Sequence, residues 1–131
     1  MVGTQPNPSG FAMPDSAWLR ALAQGVNFTS KNGITAAAGG GKADATQLSS
    51  NVLLQQIDTV VNANDSVLLP AAKAGTLVLL FNNGANALDA YGQGTDTINQ
   101  SATAVAYALA AGAAAAFFCA TDGQWAAIKT A

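Results

Sequence analysis

Short apolar runs separated by turn residues dominate the chain from residue 47 onward. The run TLVLLFN, residues 76–82, is continuously apolar, which is typical of a strand that is buried on both faces or covered by oligomerisation. Residues 67–69 and the surroundings of Ile98 form briefer runs of the same kind. Short strands spaced about 8 to 12 residues apart, with Gly-rich turns, predict an all-β fold. We expect a small β-sandwich or barrel-like domain over residues 47–131.

The prediction of strands is least certain from composition in the alanine-rich stretch 101–128, which reads SATAVAYALAAGAAAAFFCATDGQWAAI. Val105, Tyr107 and Leu109 are two positions apart, so they share one face of a strand, whereas a helix would scatter them. Gly112 suits a turn and would weaken a helix by about 1 kcal/mol. We therefore predict two β-hairpins in succession here, turning near Gly112 and at Asp122-Gly123. An alanine-rich helix from residue 102 to 116 is the competing interpretation, since alanine has the highest helix propensity.

Two dipeptides predict tight hairpin turns. Asn83-Gly84 and Asp122-Gly123 both carry residues that accept the positive φ angles of a two-residue hairpin. The first turn would lead into a return strand, ANALDAY. The second would pair the strands on either side of it, with Cys119 opposite Ala126.

Residues 1–46 are predicted to form an extended arm that carries one short helix, about residues 15–24. Asp15 or Ser16 can cap its start and Gly25 can close its end. Its apolar residues form a narrow stripe made of Trp18, Leu19 and Leu22. Because an isolated helix this short is marginal in water, we expect it to dock on its own domain or on a neighbour. Residues 29–46, which include a run of three glycines, are predicted to be a linker.

The composition indicates a thin core and a neutral surface. Of the 131 residues, 30 are alanine, and only 9% are charged. An alanine methyl group buries little area, so this chain is expected to gain stability from copies of itself or from a larger lattice. Five basic residues against seven aspartates leave no basic patch, which excludes nucleic acid as an expected partner.

The side chains offer little chemistry. The chain has no histidine and one cysteine, Cys119, so a zinc site and a Ser-His-Asp or Cys-His nucleophile are not expected. A carboxylate pair or a calcium site could be drawn only from the aspartates, Asp58, Asp65, Asp89 and Asp96. The turn-like contexts of Asp65, Asp96 and Asp122 favour bonds to backbone amides instead. We expect no enzymatic activity, no cofactor and no metal.

The run 102–120 is also too weakly apolar for a membrane span. Alanine dominates it, Gly112 divides it, and no Lys or Arg flanks it closely. The first residues, MVGTQPNPSGF, show neither the basic nor the apolar region of a secretory signal. No membrane association is therefore expected.

The region from about residue 45 to 128 resembles small structural proteins of tailed bacteriophages. The resemblance is carried by DSVLLP followed by KAG, then NNGANALDAYGQGTDTIN, and finally YALAAGAAAAFFCATDGQW. This chain has QGTDTIN where TGDTIN is common in such proteins, and its last hairpin is unusually rich in alanine. The resemblance implies a capsid decoration (cement) protein or a related head-fibre module, β-rich and frequently trimeric.

The function implied is that of a homotrimer on the outer capsid surface of the virion, assembled in the bacterial cytoplasm. Its partners would be the major capsid protein and its own copies. Tryptophan is favoured at interface hot spots, so the arm is the expected contact. The candidate partner-binding residues are Phe11, Trp18, Leu19, Leu22 and Phe28. The alternative function is a tail or fibre module that binds host-surface glycans through clusters around Asn86, Tyr91 and Trp125.

Overall fold

The computed structural model describes residues 27–130, which contain strands and no helix. The prediction of an all-β fold is therefore confirmed for this region, and the helix considered for residues 102–116 is excluded. The predicted helix at about residues 15–24 lies outside the described residues. The strands are β1 (Ser30–Thr35), β2 (Thr46–Gln47), β3 (Leu54–Thr59), β4 (Asp65–Leu68), β5 (Leu77–Asn82), β6 (Leu88–Tyr91), β7 (Thr97–Ile98), β8 (Tyr107–Leu109), β9 (Ala114–Thr121) and β10 (Gln124–Lys129).

From β1 to β9, consecutive strands alternate between two sheets. The six-stranded sheet has the order β1-β3-β5-β9-β10-β7, and the four-stranded sheet has the order β2-β4-β6-β8. Neighbouring strands in the series β1-β3-β5 and β2-β4-β6 are parallel. The chain therefore forms successive coils, each made of one strand from each sheet, and each coil stacks on the previous one. Ser30, Leu54 and Leu79 mark the same position in successive coils. This strand order is solenoid-like and is not clearly that of the expected sandwich or barrel.

An antiparallel segment follows the parallel coils. In the four-stranded sheet β8 runs antiparallel to β6, and in the six-stranded sheet β9 runs antiparallel to both β5 and β10. The hairpin predicted at Asp122-Gly123 is confirmed by the β9–β10 pairing. Its register differs by one residue, because an irregularity after Gln124 places Trp125, not Ala126, opposite Cys119.

The hairpin predicted at Asn83-Gly84 is wrong. Strand β5 before it and strand β6 after it belong to different sheets, so the segment is a corner between the two sheets. Neither of the two residues has a positive φ. Gly84 is required for another reason: a Cβ atom there would lie 2.7 Å from Val60 Cγ2 and 2.9 Å from the Val60 backbone nitrogen. Close stacking of one coil on the previous one therefore excludes a side chain.

The same corner is held by a buried asparagine. Asn82 is fully buried, and its Nδ2 donates to the carbonyl oxygens of Asn86 at 2.9 Å and Leu109 at 3.0 Å. Its Oδ1 accepts the backbone amide of Gly84 at 3.0 Å. The side chain thus satisfies backbone groups that no strand pairs at this corner. The turn predicted near Gly112 is present, with φ of 79°, but it also joins two sheets and makes no hairpin.

The predicted linker, residues 29–46, is not a simple linker. It contains β1, which pairs with β3, and the first residue of β2, which pairs with β4. The β structure therefore begins at Ser30 and not near residue 47. Only Ile34 of β1 is buried, so the strand lacks the alternating apolar pattern by which a sequence reveals it.

The core lies between the two sheets. The six-stranded sheet contributes its inward side chains, including Ile57, Val78, Leu80, Phe117 and Trp125, and the four-stranded sheet contributes Val67, Leu88 and Leu109. Alternation along each strand assigns the neighbouring positions to the outside. The outward positions of the six-stranded sheet form the surface of interest.

Candidate interaction surface

Of the predicted partner-binding residues, the structure places one. Phe28 lies just before β1 and is 53% exposed. Phe11, Trp18, Leu19 and Leu22 lie outside the described residues. The role of Phe28 in partner binding stays a prediction.

Strand β5 turns one apolar side outward. Its sequence LVLLFN alternates, with Val78, Leu80 and Asn82 buried and Leu77, Leu79 and Phe81 facing out. Leu77 is 43% exposed, whereas Val78 beside it is 1% exposed. The continuously apolar run noted in the sequence therefore corresponds to a strand with one face in the core and one face without cover in the described part of the chain.

The neighbouring strands extend this apolar side into a continuous surface, which we call the outer face. The registers define three rows that run across the sheet. The first is Leu77, Phe118 and Ala126; the second is Leu54, Leu79, Ala116 and Ile128; the third is Gln56, Phe81 and Ala114. All but Gln56 are apolar, so the outer face is a patch of hydrocarbon on a β-sheet.

A shallow hollow lies in the middle of the outer face. Its volume is about 650 Å³, and its floor includes the alanines of β9. Leu54, Leu79 and Phe81 border it on one side, and Ile128 borders it on the other. Its rim is polar where β1 and the end of β10 meet it, at Ser30, Lys31, Asn32, Lys129 and Thr130. The small residues at Ala114 and Ala116 create this depression, because both flanking strands carry larger side chains in the same rows. A second hollow of about 370 Å³ continues past Phe118 and Ala126.

Aromatic packing beneath the outer face supports β9 and β10. The Phe117 ring contacts Tyr107 edge-to-face with centroids 5.4 Å apart, and Trp125 in the same manner with centroids 6.4 Å apart. Such pairs add roughly 0.5 to 1.5 kcal/mol beyond area burial. Lys129 caps this group, since its Nζ lies 4.8 Å from the Tyr107 ring and donates to the Ala108 carbonyl at 2.6 Å. The outer face therefore sits on a well-packed support.

Polar groups border the outer face at the end of β3. The Asp58 carboxylate accepts hydrogen bonds from Asn83 Nδ2 at 2.7 Å, from the Gly33 backbone amide at 2.5 Å and from Gln56 Nε2 at 2.8 Å. These bonds, that from Asn83 foremost, lower the pKa of Asp58 below its ordinary value. The contact joins β1, β3 and the corner after β5.

Three other aspartates also accept hydrogen bonds from backbone amides. Asp65 accepts the Asn62 amide at 2.9 Å, Asp96 accepts the Ala72 amide at 2.8 Å, and Asp122 accepts the Ala74 amide at 2.9 Å. The predicted bonds to backbone amides are therefore present, although Asp96 and Asp122 reach amides far away in the sequence. Within residues 27–130 no three His, Cys, Asp or Glu side chains are grouped to hold a metal ion.

The residues considered for glycan binding do not form an exposed aromatic cluster. Trp125 is 1% exposed and Tyr91 is 9% exposed. Both belong to the packing of strands, which agrees with the simpler interpretation of their positions beside turns. Cys119 is also buried. Among the described residues, no helix is long and apolar enough to cross a membrane.

The outer face was only partly visible in the sequence. The run TLVLLFN signalled a strand that needs cover on both sides, but Ile128, Phe118 and Leu54 carried no signal of their own. Their common surface depends on the parallel coils, which bring β3 next to β5. The pairing of β9 with both β5 and β10 then completes it.

We compared the chain with protein-family models, curated proteins and solved structures, and found no match in any of the three.

Proposed function

We propose that this protein is a structural component of a bacteriophage virion, a capsid decoration protein that binds the outer surface of the head as a homo-oligomer, in the form of a trimer. The observation that carries the proposal is the outer face. An apolar patch of a few hundred Å² is often a functional surface. Only 9% of the residues in this chain are charged, so few charges border the patch, and both features support a role in an assembly. The resemblance in the sequence supplies the kind of assembly.

The arm supplies the contact with the major capsid protein in this proposal. Residues 1 to about 30 carry the candidate partner-binding residues, Phe11, Trp18, Leu19, Leu22 and Phe28. Phe28, the member that the structure describes, is exposed and can reach a partner. The aromatic members fit the composition of interface hot spots.

The mechanism is mechanical. Each oligomer binds several capsid subunits at once through arms of identical sequence. Linking the arms raises the effective concentration of each, so the assembly binds far more tightly than one arm alone. A shell that is clamped in this way resists internal pressure without any chemical step. The hydrogen-bonded aspartates and the buried Cys119 fit a protein without catalytic chemistry.

The proposed arm contact is tested by binding to empty capsids. The full chain and a variant lacking residues 2–25 are mixed with capsids that lack the protein, and bound protein is measured after sedimentation. We expect the truncated variant to lose binding while its far-UV circular dichroism spectrum keeps the β signal. Undiminished binding of the truncated variant would exclude the role given to the arm.

A substitution refines this test without shortening the chain. A Trp18→Ala, Leu19→Ala, Leu22→Ala variant removes the apolar stripe and keeps the length of the arm. We expect a loss of capsid binding comparable to that of the truncation. Full binding by this variant would show that the stripe is not the contact.

A further inference from the structure

We infer that the outer face of the six-stranded sheet is the surface through which copies of this chain associate with one another. The inference rests on the proposed function in one respect, because it assigns a place to the homo-oligomer. It is argued from the described residues and is tested in solution, without capsids.

Association through the sheet edges is disfavoured on both sides. At one edge, β7 pairs with the beginning of β10, and the side chain of Asn99 pairs with the backbone of Ala127 farther along the same edge. At the other edge, the register of β1 shifts on both sides of Ile34, and Gly33 has a φ of 71°. Irregular or covered edges are a means by which β proteins avoid strand addition. Within the six-stranded sheet, the apolar outer face is therefore better suited to association than the edges.

The relief of the outer face suits another copy of itself. Ile128 projects from β10 and is 64% exposed, and its neighbour in the same row, Ala116, lies in the central hollow. Phe118 projects beside the small Ala126 in the adjacent row. One surface thus carries both projections and depressions. Two copies can place the projections of each in the depressions of the other. Such a contact pairs two copies, so it would add to, and not replace, the contact that closes the proposed trimer.

The size of the outer face favours a second sheet over the short helix predicted for the arm as the occupant. The rows span the four strands β3, β5, β9 and β10, about 14 Å between outer strand axes, and the first and third rows are about 13 Å apart. With side chains included, this is roughly 400 Å². A helix of two to three turns is about 10 Å wide and about 15 Å long, so it covers less than half. A second sheet, packed about 10 Å away, covers the whole surface.

The same estimate sets the strength of the contact. Two faces of this size bury roughly 800 Å² in total, less than the 1,200 to 2,000 Å² that is typical of stable interfaces, so the association is weak and transient. Oligomers should therefore dissociate on dilution. A lattice that holds several copies side by side would strengthen the contact through effective concentration.

The test is sedimentation velocity of the full chain, from low micromolar to several hundred micromolar. An Ile128→Asp variant places a charge at the β10 end of the second row, and a Leu77→Lys variant places one in the first row. The matched control is Val61→Asp, because Val61 is 65% exposed and Ile128 is 64% exposed, but Val61 lies outside the outer face. All the replaced side chains are exposed, so folding should persist, which far-UV circular dichroism checks.

We expect the unaltered chain and Val61→Asp to associate equally, and both face variants to raise the dissociation constant at least tenfold. A chain that stays monomeric at every concentration would overturn the inference. So would face variants that associate like the control, or association lost on deletion of residues 2–25 alone, which would identify the arm as the contact. Because capsid binding is measured separately, the capsid proposal can fail while the outer face still mediates association, and the reverse.

Discussion

The side-chain amide of Asn99 forms two hydrogen bonds with the backbone of Ala127. Asn99 Oδ1 accepts the Ala127 amide at 2.8 Å, and Asn99 Nδ2 donates to the Ala127 carbonyl at 3.1 Å. The side chain thereby imitates one residue of a neighbouring strand and extends the cover that β7 gives to β10. The edge of the six-stranded sheet is closed at this point, whereas its outer face is open.

Removal of this amide should destabilise the fold. We predict that Asn99→Gly lowers the free energy of unfolding by about 1 to 3 kcal/mol, because both backbone groups of Ala127 lose their partner. Glycine is chosen because Asn99 has a φ of 52°. The matched control is Gln100→Gly, since Gln100 has a φ of 63°. Urea denaturation gives both values; equal effects of the two substitutions would show that the amide contributes nothing.

The buried amide at the corner after β5 should matter more than its exposed neighbour. We predict that Asn82→Ala lowers the free energy of unfolding by about 3 kcal/mol, because the carbonyl groups of Asn86 and Leu109 and the amide of Gly84 lose their partner. The control is Asn83→Ala, which removes a bond to the exposed Asp58 and should cost less than about 1 kcal/mol. Equal losses in urea denaturation would contradict this account of the corner.

The close contact of successive coils can be tested at one glycine. We predict that Gly84→Ala costs about 1 to 3 kcal/mol of stability, since the new methyl group overlaps Val60. In a Val60→Ala background the same change should cost less, because the Cγ2 atom that lies nearest is gone. The comparison uses urea denaturation of all four proteins. An undiminished cost in the Val60→Ala background would attribute the effect to the backbone of Val60 alone.

These positions also show how far the sequence leads to the fold. Asp122-Gly123 predicted its hairpin because the turn and both strands are contiguous, so local φ preferences decide the outcome. Asn83-Gly84 carried the same local signal but failed. There the glycine is needed because a side chain would overlap Val60, and the chain crosses to the other sheet. The dipeptide alone does not show whether its glycine is needed for a positive φ angle or for a close contact.

The coils and the outer face were harder to predict for a related reason. Leu54 and Leu79 occupy equivalent positions in successive coils, but no repeated motif surrounds them. Strand β1 contributes only Ile34 to the core, so its segment had the appearance of a linker. The outer face arises from residues of four strands whose proximity depends on parallel stacking. The apolar run at β5 was the part that a sequence could reveal.

The hydrogen bonds of Asp58 predict a dependence of stability on pH. Because they lower its pKa in the folded state below the ordinary value of 3.8, the charged carboxylate stabilises the fold above about pH 4. That contribution is lost as the pH falls through the lower, folded-state pKa. We expect the difference in thermal unfolding temperature between the unaltered chain and Asp58→Asn to be largest near neutral pH and to shrink in acid. Asp44→Asn, at an exposed loop position, is the control.

A difference between the unaltered chain and Asp58→Asn that stays constant from neutral pH into acid would contradict this assignment. The contribution is expected to be small, because Asp58 lies near the surface, where solvent screens its bonds.

The central claim is that this chain works as an assembled component of a phage head. Electron microscopy of the virion tests this claim most directly. Reconstruction of particles with and without the protein gives both its location and its copy number. The account predicts added density on the outer surface of the head, repeated with the capsid lattice, in which the outer faces of the six-stranded sheets lie against other copies. Density confined to the tail, or single copies with the outer face open to solvent, would contradict it.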